Sequence, residues 1–490
     1  MTSASFPRRV DNYIGGEFIP SVSGETFVNI NPATGEALCA VARSNAQDVE
    51  LAVEAARNAQ PTWAAIPPVQ RGDILHKLTA ALQLNTEQVA AFVAAETGKS
   101  ISGARGECAG AVRQGQFMAG EGQRLYGRTT TSGTPNKQAM TVRQPAGVAG
   151  LIVAANTPVA NIAWKIFPAL ICGNSVVLKA AEDAPATAWI IGQLINDSEL
   201  PDGVVNIVHG YGTEAGAPLS GHSDVDVVSF TGSSAVGREI AIKCASRMAK
   251  VSLECGGKNP LVVCEDANLE NAVKWGLLSA FSNAGQRCAS GSRIIVIDRV
   301  YDQFRDLLVE KTADLKLGVT DKDDLGPVIN ERQLTNMLKA IESAKSKGAR
   351  VLIGGERLTD PAHERGFYIA PTLIESVDSG ASLSKTELFG PIATLYRAST
   401  FEDALNLANN SPYGLTACIH TQNFNRAMEF AYKVQAGVAV VNAGTYGSEP
   451  HMSFGGIRQS GNGSREPGTE ALDVYSSLKN IYLQIDPTAV

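Results

Sequence analysis

The chain has 490 residues, 44% of them hydrophobic, and carries a net charge of −7 from 42 Lys+Arg against 49 Asp+Glu. At about 150 residues per domain it holds roughly three domains or two large lobes, with enough apolar chain for a sizeable core. That balance excludes a collagenous, disordered or disulfide-stapled protein, and no Lys/Arg stripe marks a nucleic-acid surface.

Behind Arg8 and Arg9 no apolar stretch follows, so no secretory signal is expected. The eight cysteines (39, 108, 172, 244, 255, 264, 288 and 418) form no CxxC pair, and the six histidines are dispersed without an HExxH. Neither set has metal-site spacing, so no metal is expected, and scattered thiols suit a reducing cytoplasm. Residues 144–164 run uncharged for a bilayer's width, but Pro145, Asn156, Pro158 and Asn161 interrupt them. A buried strand followed by a loop fits better, and no membrane partner is expected.

Amphipathic patterns predict helices over Ala46–Arg57, Val69–Leu84 and Glu87–Thr97. After Pro145 short apolar runs alternate with helical ones. Strands are expected at 147–155, 174–181, 204–210 and 225–232, and helices at 162–173, 184–198, 213–221 and 233–246. This alternation is the pattern of a doubly wound parallel sheet, whose ligand crevice lies at the carboxyl ends of its strands. A second series starts near Pro260 and runs to about Gly437, including a charged surface helix over Gln333–Lys347. The fold class is therefore α/β with two doubly wound lobes. A polar Thr/Ser/Gly/Pro insert at 126–143 reads as a protruding β-hairpin, and residues 480–485 alternate like an edge strand. Unpaired strands of this kind invite cover by another chain, which points to a homodimer or homotetramer.

Two phosphate-loop resemblances fail. Residues 95–100 (AETGKS) have Val93 where the first glycine belongs and follow a helix, and Gly256-Gly257-Lys258-Asn259 fails likewise. The run from Phe230 to Gly237 closes a strand and opens a helix, where backbone N–H groups and the Ser233 hydroxyl can hold a pyrophosphate. A tight turn needing Gly232 explains it equally well. Lys179 and Glu182 end another strand, where an acidic residue can accept ribose hydroxyls; a solvated ion pair is the alternative. Cys288 lies in a loop of small residues, and Glu254 precedes two glycines in an otherwise apolar strand. A cysteine nucleophile needs its thiolate stabilised, and a carboxylate in such a strand is costly unless solvated or working as a base.

With these pieces in order, NPATGE (31–36), Asn156-Thr-Pro with AWK, VVLKAAE, FTGSSAVG, LECGGKNP, GQRCASGSR, ELFGP (387–391), NNSPYGL (409–415) and FGG, the chain resembles the NAD(P)-dependent aldehyde dehydrogenase superfamily over nearly its whole length. The resemblance implies a thiohemiacetal and then a thioester on Cys288, an oxyanion held by the Asn156 amide and the Cys288 N–H, and a hydrolytic water activated by Glu254. Lys165 would support Asn156 and its loop. Lys179 and Glu182 would hold the adenine-side ribose and Ser233 the pyrophosphate, with Gly212 and Val236 beside them. Glu387 and Phe389 would meet the nicotinamide ribose and ring. Glu182 favours NAD, with NADP possible through Lys179. The implied division is 1–124 with 146–256 for the cofactor, 257–460 for catalysis, and 125–145 with 468–490 as an oligomerisation arm.

The stretch after Asn156 departs from members that take aromatic or fatty aldehydes: Thr157-Pro-Val-Ala-Asn161 is neither aromatic nor bulky. Arg287 precedes the nucleophile, Thr445, Tyr446 and His451 precede FGG, and Ser453 replaces the usual proline. A polar pocket with at least one cation is expected, suited to a small anionic semialdehyde, with Arg287, Thr157, Asn161, Thr445 and His451 as candidate contacts. Arg105 and Arg113 are further candidates, and the alternative for Arg287 is pairing with an acidic neighbour. Other readings are CoA-acylating dehydrogenation, against which Glu254 argues, a catalytically silent binding protein, and a cysteine hydrolase, for which no histidine lies near Cys288 in sequence.

Overall fold

The computed structural model describes residues 6–488. The reading of the extreme N-terminus, and the outer ends of the 1–124 and 468–490 segments, fall on residues outside these. Two seven-stranded sheets dominate the structure. The first runs in the order Lys250–Cys255, Val227–Gly232, Val148–Ile152, Ser175–Lys179, Val205–Val208, Asn12–Ile14 and Glu17–Ile19. Its first five strands are parallel, as their alternation with helices predicts. The last two are antiparallel and come from an N-terminal segment in which the sequence showed no strand. They are three residues each, too short to display an alternation.

From Val148–Ile152 the chain steps outward through two strands, then crosses back to lay Val227–Gly232 on the other side. The switch point therefore lies between these two neighbours, and both Asn156 and Ser233 follow directly from their carboxyl ends. The second sheet is ordered Arg350–Ile353, Thr372–Glu375, Ile392–Ala398, Arg293–Ile297, Pro260–Val263, Thr416–His420 and Val438–Val441. All of its pairings are parallel except the first. A third sheet pairs Thr129–Thr131 and Lys137–Pro145 with the tail strand Ser476–Gln484, from Ser476 opposite Pro145 to Gln484 opposite Lys137. The hairpin and tail form one unit, with Leu478 and Tyr482 exposed along it.

The expected helices are present. The first extends to Ala65, eight residues beyond the predicted end, because it runs through Pro61 to bury Trp63, whose indole N–H donates to the Leu170 carbonyl at 3.0 Å. A capping box between Asn45 and Asp48 starts it. The helix carrying Arg105 and Arg113 spans Ile101–Gly120, and its glycines hid its bounds in the sequence. No helix among the described residues is long and apolar enough to cross a membrane.

One buried ionic network closes the first lobe. Lys165, on helix Pro158–Ile171, donates to Ser229 Oγ at 2.5 Å and to Glu466 Oε2 at 2.8 Å. Glu466 Oε1 accepts from Ser229 (2.8 Å) and Tyr475 (2.9 Å). Both charged side chains are 1% exposed, so neither has water to fall back on. Removing one partner leaves an uncompensated buried charge. Glu466→Ala should therefore destabilise the protein by about 3–5 kcal/mol, read as a lower denaturant midpoint at unchanged slope.

Candidate active site

Four residues, Gly256 to Asn259, carry the chain from the carboxyl end of the first sheet to the amino end of the second. This link makes the two ends face each other. Glu254 stands at the end of Lys250–Cys255, while Cys288 and Glu387 each sit five residues ahead of a strand of the second sheet. The carboxyl-end rule thus locates half of the site, and the other half comes from loops entering the amino ends.

Cys288 reaches its place through a distorted turn. Asn283 (φ 55°), Ala284 (φ 53°) and Gly285 (φ 67°) are all left-handed, as is Phe389 (φ 58°) on the facing loop. Two of the first three are not glycine, a strain that persists only where packing over-determines it. That packing is visible: a Cβ on Gly285 would lie 2.2 Å from the Gly390 carbonyl oxygen. Asn259 Nδ2 then pins the loop by donating to the Cys288 (2.8 Å) and Ser290 (2.9 Å) carbonyls. The other seven cysteines are buried, while Cys288 is half-buried at the wall of a cavity of about 500 Å³.

Asn156 faces the same loop. Its Nδ2 donates to the Gln286 carbonyl at 2.9 Å, two residues before Cys288, and its Oδ1 accepts from Asn161 at 3.3 Å. An amide has two donor hydrogens, so one stays available beyond the bond to Gln286. The Asn156 carbonyl accepts from Lys99 Nζ (2.9 Å) and Asn283 Nδ2 (3.3 Å). Lys99 pairs with Glu107 at 2.5 Å, both nearly buried, and Glu107 Oε1 accepts the Val159 (2.8 Å) and Ala160 (3.3 Å) N–H groups that open helix Pro158–Ile171. A carboxylate at a helix N-terminus is favoured by the dipole and meets otherwise unsatisfied donors. The support expected from Lys165 is therefore supplied by Lys99 and Glu107, since the Lys165 ammonium is spent on Ser229 and Glu466.

The carboxylates are electrostatically unusual. Glu254 is 6% exposed and both of its oxygens lack a hydrogen-bond partner. Burial, then nearby Glu466, push its carboxyl well above the ordinary range, with Lys165 and Arg465 opposing. Burial pushes Glu387 up to about 7 against the Gly257 N–H, which donates to it at 3.1 Å, and against Lys258. Burial, then Glu387 and Glu254, push the Cys288 thiol up to about 12. Burial and both carboxyl groups thus disfavour a thiolate at Cys288.

Around the switch point of the first sheet, Lys179 is buried and pairs with Glu182 at 3.0 Å. Ser233 caps helix Ser234–Ser246, its hydroxyl accepting from the Val236 N–H at 3.4 Å, and Val236 is exposed on the first turn. Gly212 opens a π-helical turn with no atom within 4 Å of a Cβ placed there. Opposite, Glu387 lies over Gly256 so closely that a Cβ would meet its Oε2 at 1.7 Å. A side chain at Gly256 would displace the Glu387 carboxylate from this place.

The pocket candidates divide. Arg287 and Thr157 line the cavity, and the Arg287 guanidinium lies 4.8 Å over the Tyr446 ring. Among the described residues no carboxylate lies within 4.0 Å of Arg287, so the acidic pairing considered for it does not occur. Asn161 is buried and holds Asn156, donating also to Thr157 Oγ1 at 3.2 Å. Thr445 is fully buried and spends its hydroxyl on the Ala289 carbonyl at 2.6 Å. His451 is exposed beside Glu449 at 3.5 Å. Neither Thr445 nor His451 lines the cavity; Tyr446 to Pro450 do. Arg105 is tied to Glu87 at 2.7 Å on the surface, whereas Arg113 lines the cavity. Lys99, Glu107 and Asn259 escaped the sequence reading. Lys99 lay within a rejected phosphate-loop resemblance, and nothing in periodicity separates Glu107 from an exposed glutamate.

Two measurements check this geometry. Alkylation of Cys288 by iodoacetamide, followed by peptide mass spectrometry, should accelerate about ten-fold per pH unit between pH 7 and 10, because the thiolate fraction of a thiol near 12 rises so. Lys99→Met should lower kcat by about ten- to a hundred-fold, since it frees the Asn156 carbonyl and leaves Glu107 without its cation.

The aldehyde dehydrogenase family pattern matches residues 18–481. The α-ketoglutaric semialdehyde dehydrogenase of Bacillus subtilis (strain 168) is 38% identical over 96% of this chain and 98% of its own. Human retinaldehyde dehydrogenase 3 is 36% identical over 96% and 92%. The solved betaine aldehyde dehydrogenase of Staphylococcus aureus, in complex with NAD+, superposes with a TM-score of 0.96 at 31% identity, covering 99% of this chain and 96% of that one. Matched along nearly its whole length in sequence and in fold, the chain belongs to the aldehyde dehydrogenase family.

Proposed function

We propose that this enzyme oxidises a small anionic semialdehyde to the corresponding acid, with NAD, through a thioester on Cys288. The observation that carries the substrate class is Arg287: a cation beside the nucleophile, stacked on Tyr446 and without a carboxylate partner among the described residues. The Bacillus subtilis relative, whose named substrate is itself an acidic aldehyde, supports it.

In this reading the Cys288 sulfur attacks the aldehyde carbon while its proton passes toward Glu254. The free Asn156 N–H and the Cys288 N–H meet the oxyanion, each donor contributing about 3 kcal/mol. NAD, when bound, supplies the hydride acceptor. With that first proton released to solvent, Glu254 takes a proton from the water that attacks the thioester carbonyl, returns it to the departing Cys288 sulfur, and the acid is released. Two unpartnered oxygens in a buried strand end suit a base that must meet a transient water. A carboxylate in that place favours water over a thiol as acyl acceptor.

The residues present fit the dinucleotide. Lys179 and Glu182 stand at a strand end beside the switch point, Ser233 and the first turn with Val236 present N–H groups, and Gly212 leaves open space. Glu387 and Phe389 would border the nicotinamide ribose and ring. Glu182 repels a 2′-phosphate by about 1–4 kcal/mol, and it already engages the Lys179 ammonium, so NAD is preferred over NADP. The same reading divides the chain into a cofactor lobe (1–124 with 146–256), a catalytic lobe (257–460) and an arm (125–145 with 468–490). The exposed Ser476–Gln484 edge then joins copies into a dimer or tetramer, working in the cytoplasm.

The test is NADH formation with a carboxylated aldehyde and its uncharged isostere, using NAD and NADP. At least ten-fold higher kcat/KM for the anion is expected, and Arg287→Met should erase that margin; equal values for the wild type would end the anion reading. Cys288→Ser should abolish turnover. Glu254→Gln should yield at most one NADH per active site, and the wild-type acid limb should lie above the ordinary carboxylate range, because a raised carboxyl ionises only at higher pH.

A further inference from the structure

The helix Ile101–Gly120 turns one face toward the cavity, and beside Glu107, Arg113 and Gln114 that face carries a row of glycines. Gly103, Gly106 and Gly110 recur at three- and four-residue intervals and all line it. A Cβ on Gly106 or Gly110 would meet nothing within 4 Å. Glycines inside a helix cost about 0.5–1 kcal/mol each relative to alanine, so an unfilled row of them is not explained by helix stability.

One turn beyond Gly110, on the same face, stands Gln114. It is 1% exposed, lines the cavity with Asn156, Trp164 and Cys288, and both its Nε2 and Oε1 lack a hydrogen-bond partner. An amide buried with donor and acceptor both unsatisfied is among the costliest arrangements a core can hold. The protein's other cavity-lining amides are engaged: Asn156 with Gln286, and Asn283 with Asn156 and Gln286. Gln114 alone among these has nothing to bond.

We propose that Gln114 is a specificity-determining residue that reads an oxygen substituent, a keto or hydroxyl group, on the substrate chain between the aldehyde carbon and its anionic end. The glycine row supplies the room for that branch, and the orphan amide supplies a donor for a keto oxygen or a donor and acceptor for a hydroxyl. Arg113 and Arg287, both lining the cavity, remain for the carboxylate. A site built to hydrogen-bond a substrate oxygen discriminates strongly against the analogue lacking it, because its own polar atoms are then left unpaired. The inference rests on the anionic-aldehyde reading for the position of the substrate's far end.

The experiment compares kcat/KM for ω-oxo carboxylates of equal length, with and without an oxygen at carbon 2, alongside the matching pair of carboxamides. The wild type should favour the oxygenated member of each pair at least ten-fold. Gln114→Leu, nearly isosteric, should bring both ratios within two-fold of unity, with the loss carried by the oxygenated compound and with NAD affinity, read by fluorescence quenching, as in the wild type. Gln114→Asn withdraws the amide by one methylene and should lower the ratios in the same direction, which decides the matter if the leucine variant does not fold. A wild type without the preference, a preference that survives in the variants, or equal losses on both members overturns the proposal. If carboxylates and carboxamides turn over equally, the anionic reading fails, while the carboxamide ratios still judge Gln114.

Discussion

Two sheets of the same architecture meet here end to end, through a link only four residues long. Because Gly256–Asn259 enters the second sheet directly from the first, the carboxyl ends of one set of strands oppose the amino ends of the other. Every reactive group then lies within a few residues of that seam. Gly256 lets Glu387 approach the backbone, Gly257 donates to it, and Asn259 fixes the loop that bears Cys288. A side chain at Gly256 would displace the Glu387 carboxylate, and one at Gly257 would strike the Asn259 amide and the Cys288 carbonyl, so the seam depends on the absence of atoms as much as on contacts.

Around that seam the protein holds groups in states that water would not favour. Burial and two carboxyl groups make the thiol harder to ionise than it is in water, Glu254 is left without donors, and the turn before Cys288 is strained. Such costs are sustained by rigid surroundings: the Lys99–Glu107 pair on the Asn156 side and the sheet core below.

Much of this was legible beforehand, for identifiable reasons. Parallel strands buried on both faces are continuous apolar runs, so the five parallel strands of the first sheet and their crossover helices stood out between 147 and 255. Cys288, Glu254 and Asn156 stood out as candidates through the motifs that carry the resemblance, GQRCASGSR, LECGGKNP and Asn156-Thr-Pro, in their order along the chain. What stayed hidden depends on tertiary partners. Strands of three residues near the N-terminus carry no period, and the Ile101–Gly120 helix was masked by glycines that serve the cavity. Arg287 and Thr445 look equally polar in sequence; only the fold shows one lining the cavity and the other bonded to Ala289. Lys165 looked like a neighbour of Asn156, yet the partner that decides its orientation lies 301 positions away.

That separation bears on how the chain is made. Lys165 belongs to the first lobe's interior, but its counter-charge arrives with Glu466, and the Tyr475 carbonyl that receives Asn174 arrives later still. While the ribosome is still producing the second lobe, the first cannot bury its lysine without leaving the charge uncompensated. The interior around Lys165 is therefore completed only by a segment 301 positions further along the chain. A change at Glu466 or Tyr475 would strike a core built from residues hundreds of positions earlier in the chain.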